Sequence, residues 1–233
     1  MIEETLVPFL LTNKWILSEE QKEKLTKFLS LVQKVNPHMN LVSNESDEEL
    51  VYSHLQDSMQ LMNCSWIPTT HQKWIDVGSG GGFPGIVAAI LFPQFTFFLV
   101  ESIRKKYSFL LYASIEATLN NVHIIHDRAE NVVTTQAIMH DCAIFSARGV
   151  GSVAYLNPFF DQSLSVEGKA IFWKDPKEVS SFLHPHSTWE MMEQKAYQSR
   201  TTEKHIVVLQ RKIKTKQGSG NARKNKKLRI AGP

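Results

Sequence analysis

Trp74-Ile75-Asp76-Val77-Gly78-Ser79-Gly80-Gly81-Gly82-Phe83-Pro84-Gly85 is the stretch that decides the fold. A short apolar strand runs into a glycine-rich turn, and the turn opens a helix. Glycine gives the backbone positive φ and lets it come close to a ligand. The helix start offers unpaired N–H groups to an anionic group, and Pro84 suits a first helical position. Three kinds of loop compete for the pattern. A Walker A loop needs Gly-Lys-Ser/Thr at its end, which this one lacks. Gly80-x-Gly82-x-x-Gly85 formally matches a dinucleotide fingerprint, with Glu101 19 residues past Gly82, but it is offset from the strand end. The third pattern is Asp-x-Gly-x-Gly-x-Gly, at Asp76, Gly78, Gly80 and Gly82, and its acid lies on the strand itself. That acid discriminates. S-adenosylmethionine carries an amino acid moiety instead of a pyrophosphate, so its pocket needs an acceptor for an ammonium beside N–H donors. Asp76 meets that need directly or by holding the turn through hydrogen bonds. A purely structural turn is the remaining reading, and two further sites weigh against it.

Downstream of the loop, strand-like runs at 74–77, 96–100, 122–126, 142–146 and 170–173 alternate with helical stretches at 85–91, 105–119, 131–138 and 153–160. The alternation predicts an α/β fold, a doubly wound, mostly parallel sheet with helices on both faces. A helix over 177–194 and two more strand-like runs, 195–198 and 205–210, bring the strands to seven, the last pair antiparallel. Upstream, Leu25, Phe28, Leu29, Val32 and Val35 form a helical stripe that Asn36-Pro37 ends. Ser46 and Glu49 resemble a capping box that opens a helix through Leu61. The chain divides on this reading into an N-terminal helical extension (1–70), an S-adenosylmethionine-binding domain (71–212) and a basic tail (213–233). Within the tail, 218–227 is biased enough in composition to be disordered.

With 42% apolar and 21% charged residues over 233 positions, the composition is globular and sets aside collagen and coiled coil. Cys64 and Cys142 are too few for a disulfide framework or a CxxC zinc site. His184-x-His186 and His123-x-x-His126 lack further ligands at familiar spacings, so no metal is expected. The N-terminus lacks the basic start of a signal peptide. The longest apolar run, 86–93, falls far short of the roughly 20 residues that span a bilayer. The expectation is a cytoplasmic monomer that avoids membranes. Its net charge of +3 hides an asymmetry: 211–233 holds nine basic residues and no acid, while 1–210 holds 17 basic and 23 acidic residues, a net of −6. A basic tail on an acidic body suits nucleic acid, or is simply a solvated terminus.

Glu101 closes the second strand, where a carboxylate can accept both hydroxyls of a ribose. Asp127-Arg128-Ala129-Glu130 follows the third strand, where side chains and backbone N–H groups can read an adenine edge. With the loop, these groups line the carboxyl ends of adjacent strands, where open α/β sheets bind ligands. Arg148 follows the fourth strand, positioned for the cofactor carboxylate, an RNA phosphate or plain solvent. Lys174, after the fifth, approaches the target base or reaches solvent. His54, Asp57 and Ser58 share one helical face by spacing. They form either a patch beside cofactor or RNA, or a polar cluster that packs helices. Asn157-Pro158-Phe159-Phe160 resembles an amino-nitrogen methylation motif but lies 11 residues beyond Ser146 and lacks a second proline. It reads as helix and core, and Trp66, Trp74 and Trp173 likewise read as core or interface.

With these residues in hand, the chain resembles the bacterial small-subunit ribosomal RNA methyltransferase G family, also called glucose-inhibited division protein B. The likeness runs from about Asn40 to Lys174. It includes Asn40-Leu41-Val42, His54-Leu55-Gln56-Asp57-Ser58, and the Asp76 loop with its Phe83-Pro84-Gly85-Ile86 ending. Further on come Glu101-Ser102, Arg104-Lys105, Phe109-Leu110, Arg128-Ala129-Glu130 and Arg148. The resemblance implies a class I methyltransferase fold with a helical N-terminal extension. It implies transfer from S-adenosylmethionine to N7 of a guanine in 16S rRNA, with the small ribosomal subunit or its precursor as partner. It also implies cofactor contacts at Gly78, Phe83, Ala129, Glu130 and Arg148; Gly80 and Glu101 join them from the loop reading. Two positions depart from the family pattern: Ala147 stands before the arginine where Ser is usual, and Asp175-Pro176 follows Lys174 where Gly is common.

Guanine N7 carries a lone pair and no proton, so an in-line displacement from a sulfonium needs no general base and no catalytic residue in that sense. Positioning and electrostatics carry the rate. Neither cysteine follows a proline, as cytosine C5 chemistry would want. The rival readings are a small-molecule methyltransferase, a nicotinamide oxidoreductase, and a non-catalytic RNA-binding assembly factor.

Overall fold

The computed structural model describes residues 2–43, 46–135, 140–199 and 202–212. The expected tail at 213–233 and the end of the helix expected at 131–138 lie outside them. Seven strands form one sheet: β1 (Gln72–Val77), β2 (Phe95–Glu101), β3 (Val122–His126), β4 (Cys142–Ala147), β5 (Leu164–Trp173), β6 (Trp189–Gln198) and β7 (Glu203–Arg211). Their order is β3-β2-β1-β4-β5-β7-β6. The first five pair in parallel. β7 lies antiparallel between β5 and β6. This is the doubly wound, mostly parallel architecture that the alternation predicts.

Both faces of the central strands are covered, so those strands are apolar almost throughout. Trp74, Phe95, Phe97 and Leu99 face one core, while Ile75, Val77, Phe98 and Val100 face the other. The first core also holds residues of α1 (Ile2–Thr12), α2 (Glu19–Met39), α5 (Gly85–Leu91) and α6 (Arg104–Glu116). The second holds residues of α7 (Ala129–Thr135), α8 (Val153–Ser163) and α9 (Pro176–Phe182). Pro158, Phe159 and Phe160 lie inside α8, with both phenylalanines buried.

Three expectations need correction. Asn36-Pro37 does not end α2, which runs on to Met39 and stops where Asn40 adopts a left-handed conformation. Proline is tolerated there because it interrupts only the final turn, and buried Asn36 anchors the exit by accepting the Val42 N–H at 2.9 Å. The helix expected through Leu61 changes winding: α3 (Asp47–Glu49), a π turn (Leu50–Leu55), α4 (Gln56–Met59) and a 3-10 turn (Gln60–Asn63). The helix expected over 177–194 is only α9. Residues 189–198 instead form β6, alternately half-buried and exposed over most of their length. Glu, Met, Lys and Ala favour a helix in isolation, but pairing along β7 outweighs that preference.

Candidate cofactor and acceptor site

β1 delivers the glycine turn to the carboxyl edge of the sheet. Gly78, Gly80 and Gly82 all have positive φ, at 69°, 55° and 89°. The N–H groups of Gly78 and Ser79 both donate to the Val100 carbonyl, at 2.9 and 3.1 Å, and so tie the turn to β2. Glu101, at the end of β2, is buried. Its Oε2 accepts the Gly80 N–H at 2.9 Å and its Oε1 accepts the Ile103 N–H at 2.7 Å. A carboxylate oxygen has two lone pairs, so each retains acceptor capacity after its backbone bond.

Asp76 lies beneath the turn and is completely buried. Its Oδ1 accepts from Ser146 Oγ at 2.6 Å, and that hydroxyl in turn accepts from Trp74 Nε1 at 2.9 Å. Burial pushes the Asp76 carboxyl up to about 6. Its Oδ2 has no partner among the described residues. Gly85 leaves room for it, since a Cβ there would sit 2.7 Å from Oδ2. Gly82 does not serve close approach to a ligand, contrary to expectation. Its missing Cβ is replaced by Phe28 and Ile86, both 2.9 Å from where it would stand.

Gly78 of the loop, Ser102 after the end of β2 and the 127–130 segment line a cleft of about 90 Å³, with Val150 and Tyr155 among others. Its groups suit a nucleoside: acidic side chains at Asp127 and Glu130 and apolar walls at Val77, Val100 and Val150, with Glu101 one residue before the lining Ser102. Its volume is below the roughly 300 Å³ at which ligand pockets begin. Val150 causes much of the narrowing, because its Cγ2 stands 2.3 Å from where a Gly78 Cβ would be. Tyr155 adds to it, donating from its hydroxyl to Glu130 at 2.6 Å. These two side chains must turn aside to admit a whole nucleoside.

On the other side of β4 the geometry is different. Arg148 Nη1 donates to Asp57 Oδ2 at 2.6 Å, Nη2 to His54 Nδ1 at 3.0 Å and Nε to the Phe83 carbonyl at 3.3 Å. Its guanidinium carbon lies 5.8 Å from the Phe83 ring centre. Asp57 also accepts from the Tyr197 hydroxyl at 2.8 Å and from Lys204 Nζ at 3.0 and 3.1 Å. Its carbonyl accepts from Trp173 Nε1 at 2.7 Å. An arginine only donates, so His54 Nδ1 is the unprotonated nitrogen. Burial first, and Arg148 second, lower the His54 pKa to about 4, which keeps the ring neutral. Burial, followed by Asp57, raises the Tyr197 pKa.

His54 and Asp57 therefore meet Arg148, as their shared face suggests. Ser58 does not join them: it is fully buried and donates back to the His54 carbonyl at 3.1 Å. Lys174 pairs with Glu178 at 2.9 Å. A second cavity of about 380 Å³ opens here, lined by Arg148, Trp173, Lys174, Asp175, Tyr197 and Lys204 among others. Tyr197 and Lys204 carry no motif, and their place at Asp57 depends on a hairpin whose first strand reads as a helix up to 194 and as a strand only from 195.

Residues 21–213 match the family model described as rRNA small subunit methyltransferase G. The chain belongs to that family. Among relatives named ribosomal RNA small subunit methyltransferase G, the Pseudomonas syringae pv. tomato protein is 44% identical over 115 residues, 49% of this chain and 53% of that protein. The Ectopseudomonas mendocina protein is 40% identical over 114 residues, 49% of this chain and 52% of that protein. The alignments thus span about half the length of these two relatives. A Streptococcus pneumoniae relative is 28% identical over 189 residues, 81% of this chain and 80% of that protein. Among solved structures, the B. subtilis M1A22 tRNA methyltransferase TrmK superposes with a TM-score of 0.54 at 11% identity, over 69% of this chain and 66% of that one. M. capricolum TrmK in complex with S-adenosyl-homocysteine gives 0.52 at 11% identity, over 65% and 67%. At such identities these likenesses show the fold alone, the Rossmann-like class I methyltransferase fold.

Proposed function

We propose that this member of the methyltransferase G family transfers a methyl group from S-adenosylmethionine to N7 of a guanine in 16S rRNA, in the cytoplasm, on the small ribosomal subunit or its precursor. The observation that carries the reading is a pair of cavities at the carboxyl ends of the strands, the larger of them lined by Arg148. One is the nucleoside cleft on the β1–β2–β3 side, and the other the larger cavity on the β5–β7 side. The point between β1 and β4, where the strand order reverses, is where an open α/β sheet binds its ligands.

In this reading Glu101 receives the ribose hydroxyls, Ala129 and Glu130 border the adenine, and Gly78, Gly80 and Phe83 shape the path of the amino acid end. The bound cofactor supplies an electrophilic methyl on a sulfonium. Asp76 acts from below: its carboxylate ties β1 to β4 through Ser146, and its carbonyl accepts from Ser79 Oγ of the turn at 3.0 Å. Arg148 is held by Asp57, His54 and the Phe83 carbonyl, and so keeps a fixed cation on the wall of the larger cavity. No described side chain has to remove a proton, because N7 has none to lose.

The test has two arms. Calorimetric titration should show binding of S-adenosylmethionine and none of NADH. Mass mapping of nucleosides should find one 7-methylguanosine in 16S rRNA that disappears from cells lacking the gene. Unchanged rRNA in those cells would leave an RNA-binding factor as the better reading. Removing 215–233 deletes six basic residues. If they contact phosphates, the slope of log RNA affinity against log salt should flatten by roughly 2–4, with cofactor affinity unchanged.

A further inference from the structure

Every cation on the 380 Å³ cavity already has a carboxylate partner. Arg148 and Lys204 share Asp57, at 2.6 and 3.0 Å, and Lys174 holds Glu178 at 2.9 Å. Of the three lining carboxylates, Asp57 is saturated by Arg148, Tyr197 and Lys204. Glu203 lies 3.4 Å from His205. Asp175 has no ion pair among the described residues. It is nevertheless held in place, since its Oδ1 caps α9 by accepting the Lys177 N–H at 2.7 Å. Asp175 is therefore the lining carboxylate that is held in place by the backbone and has no ion pair among the described residues. Two aromatic walls flank it, Trp173 and Tyr197, each tethered to Asp57 by its polar end.

From this arrangement we infer that Asp175 is a specificity-determining residue: it accepts hydrogen bonds from N1–H and the 2-amino group of the guanine that enters this cavity. The inference rests on the proposed guanine-N7 reading and deepens it. In an RNA helix N7 faces a deep, narrow major groove that side chains cannot enter, so the acceptor must come as an unstacked base. The cavity lies within the size range of pockets for one small ligand. Guanine alone among the four bases pairs an acceptor-only N7 with two donor groups on its opposite edge. A carboxylate, which only accepts, suits that edge and rejects the N1 lone pair of adenine.

The same contact favours the reaction. As the methyl moves, positive charge passes from sulfur to the purine ring, and N1–H and the amino group become stronger donors. A carboxylate on that edge binds the transition state more tightly than the ground state, which raises kcat rather than only lowering KM. The N7–methyl bond forms as the sulfur–methyl bond breaks. The electron pair stays on sulfur, and no proton or co-reactant is involved.

The experiment compares full-length wild type, Asp175→Asn and Asp175→Glu on small-subunit RNA carrying guanosine or inosine at the methylated position. Inosine keeps N7 and N1–H but lacks the amino group. Asparagine caps helices about as well as aspartate, so the melting temperature should not move. On guanosine, Asp175→Asn should lower kcat by about tenfold or more with little change in KM. Wild type should lose about five- to tenfold on going from guanosine to inosine, and the variant less than about twofold. Asp175→Glu, which keeps the charge, should recover part of the rate. An Asp175→Asn enzyme as fast as wild type on guanosine, or equally slowed on both substrates, would overturn the inference while leaving the N7 reading standing. A wild type that methylates no guanine N7 would remove both.

Discussion

Two buried carboxylates anchor the two halves of this site, and they are compensated in opposite ways. Glu101 is held by backbone N–H groups of its own neighbourhood, Gly80 and Ile103. Asp57 is held by side chains from remote parts of the chain, Arg148, Tyr197 and Lys204. A carboxylate bound by the backbone depends on the local turn and tolerates change elsewhere. A carboxylate bound by two cations makes three distant segments depend on one another, because removing it leaves like charges facing each other.

The largest difference should appear on removing each anchor. Asp57→Ala leaves Arg148 and Lys204 without their shared counterion and should cost about 3–5 kcal/mol in urea unfolding. A loss below about 1 kcal/mol would mean that solvent already screens the pair.

Protonation sharpens the contrast next. Asp76 is raised from 3.8 to about 6 and His54 lowered from 6.5 to about 4. The folded form holds the Asp76 proton where the unfolded chain has lost it, so this contribution is full below pH 3.8 and disappears as pH rises through about 6. The folded form refuses the His54 proton where the unfolded chain takes it, so that contribution is full above pH 6.5 and disappears as pH falls through about 4. Each spans about 3 kcal/mol, with opposite slopes that nearly cancel between pH 4 and 6. Asp76→Asn should therefore make stability rise with pH across that window, and His54→Asn should make it fall. Matching pH profiles for Asp76→Asn and wild type would show that Asp76 does not titrate in this range.

Glu101→Ala should weaken S-adenosylmethionine by about 1–3 kcal/mol while Asp57 and its partners stay in place. A 2′-deoxy cofactor analogue should be penalised in wild type and far less in the variant; equal penalties would take Glu101 off the ribose. The smallest effect belongs to Gly80→Ala. Nothing but the Gly78 carbonyl, at 3.7 Å, lies near the added carbon, so the cost is the positive φ of 55°, about 1–2 kcal/mol of stability. Gly82→Ala should cost more, because Phe28 and Ile86 occupy the space. Equal losses at the two glycines would mean that packing there is looser than the distances state.

The same contrast explains what could be read in advance. The turn after β1, the acid at the end of β2 and the run 127–130 are local patterns whose chemistry follows from neighbours in sequence. The helix expected at 85–91 is α5, and each expected strand lies within an observed one. The Asp57 cluster is assembled across 148 positions of the chain, from 57 to 204, and leaves no pattern in any window. Its Tyr197 hangs on β6, whose first part, 189–194, reads as a helix until β7 is there to pair with it. The shared face of His54 and Asp57 was legible, but not that Ser58 turns back on its own helix, because a helical serine can bond the carbonyl four residues before it as readily as reach outward.

β7 is the last of the described strands in chain order, yet it lies inside the sheet, between β5 and β6. A nascent chain on the ribosome can assemble β1 to β5 and their helices while that slot is still empty. During this interval β6 has no neighbour, the Asp57 carboxylate faces Arg148 without Lys204, and the β7 side of the larger cavity is missing. The smaller cleft, built wholly from residues before 156, is made first. Order of synthesis thus separates the two halves in time: this chain can form the cleft proposed for the cofactor before it has the residues that complete the cavity proposed for the RNA base.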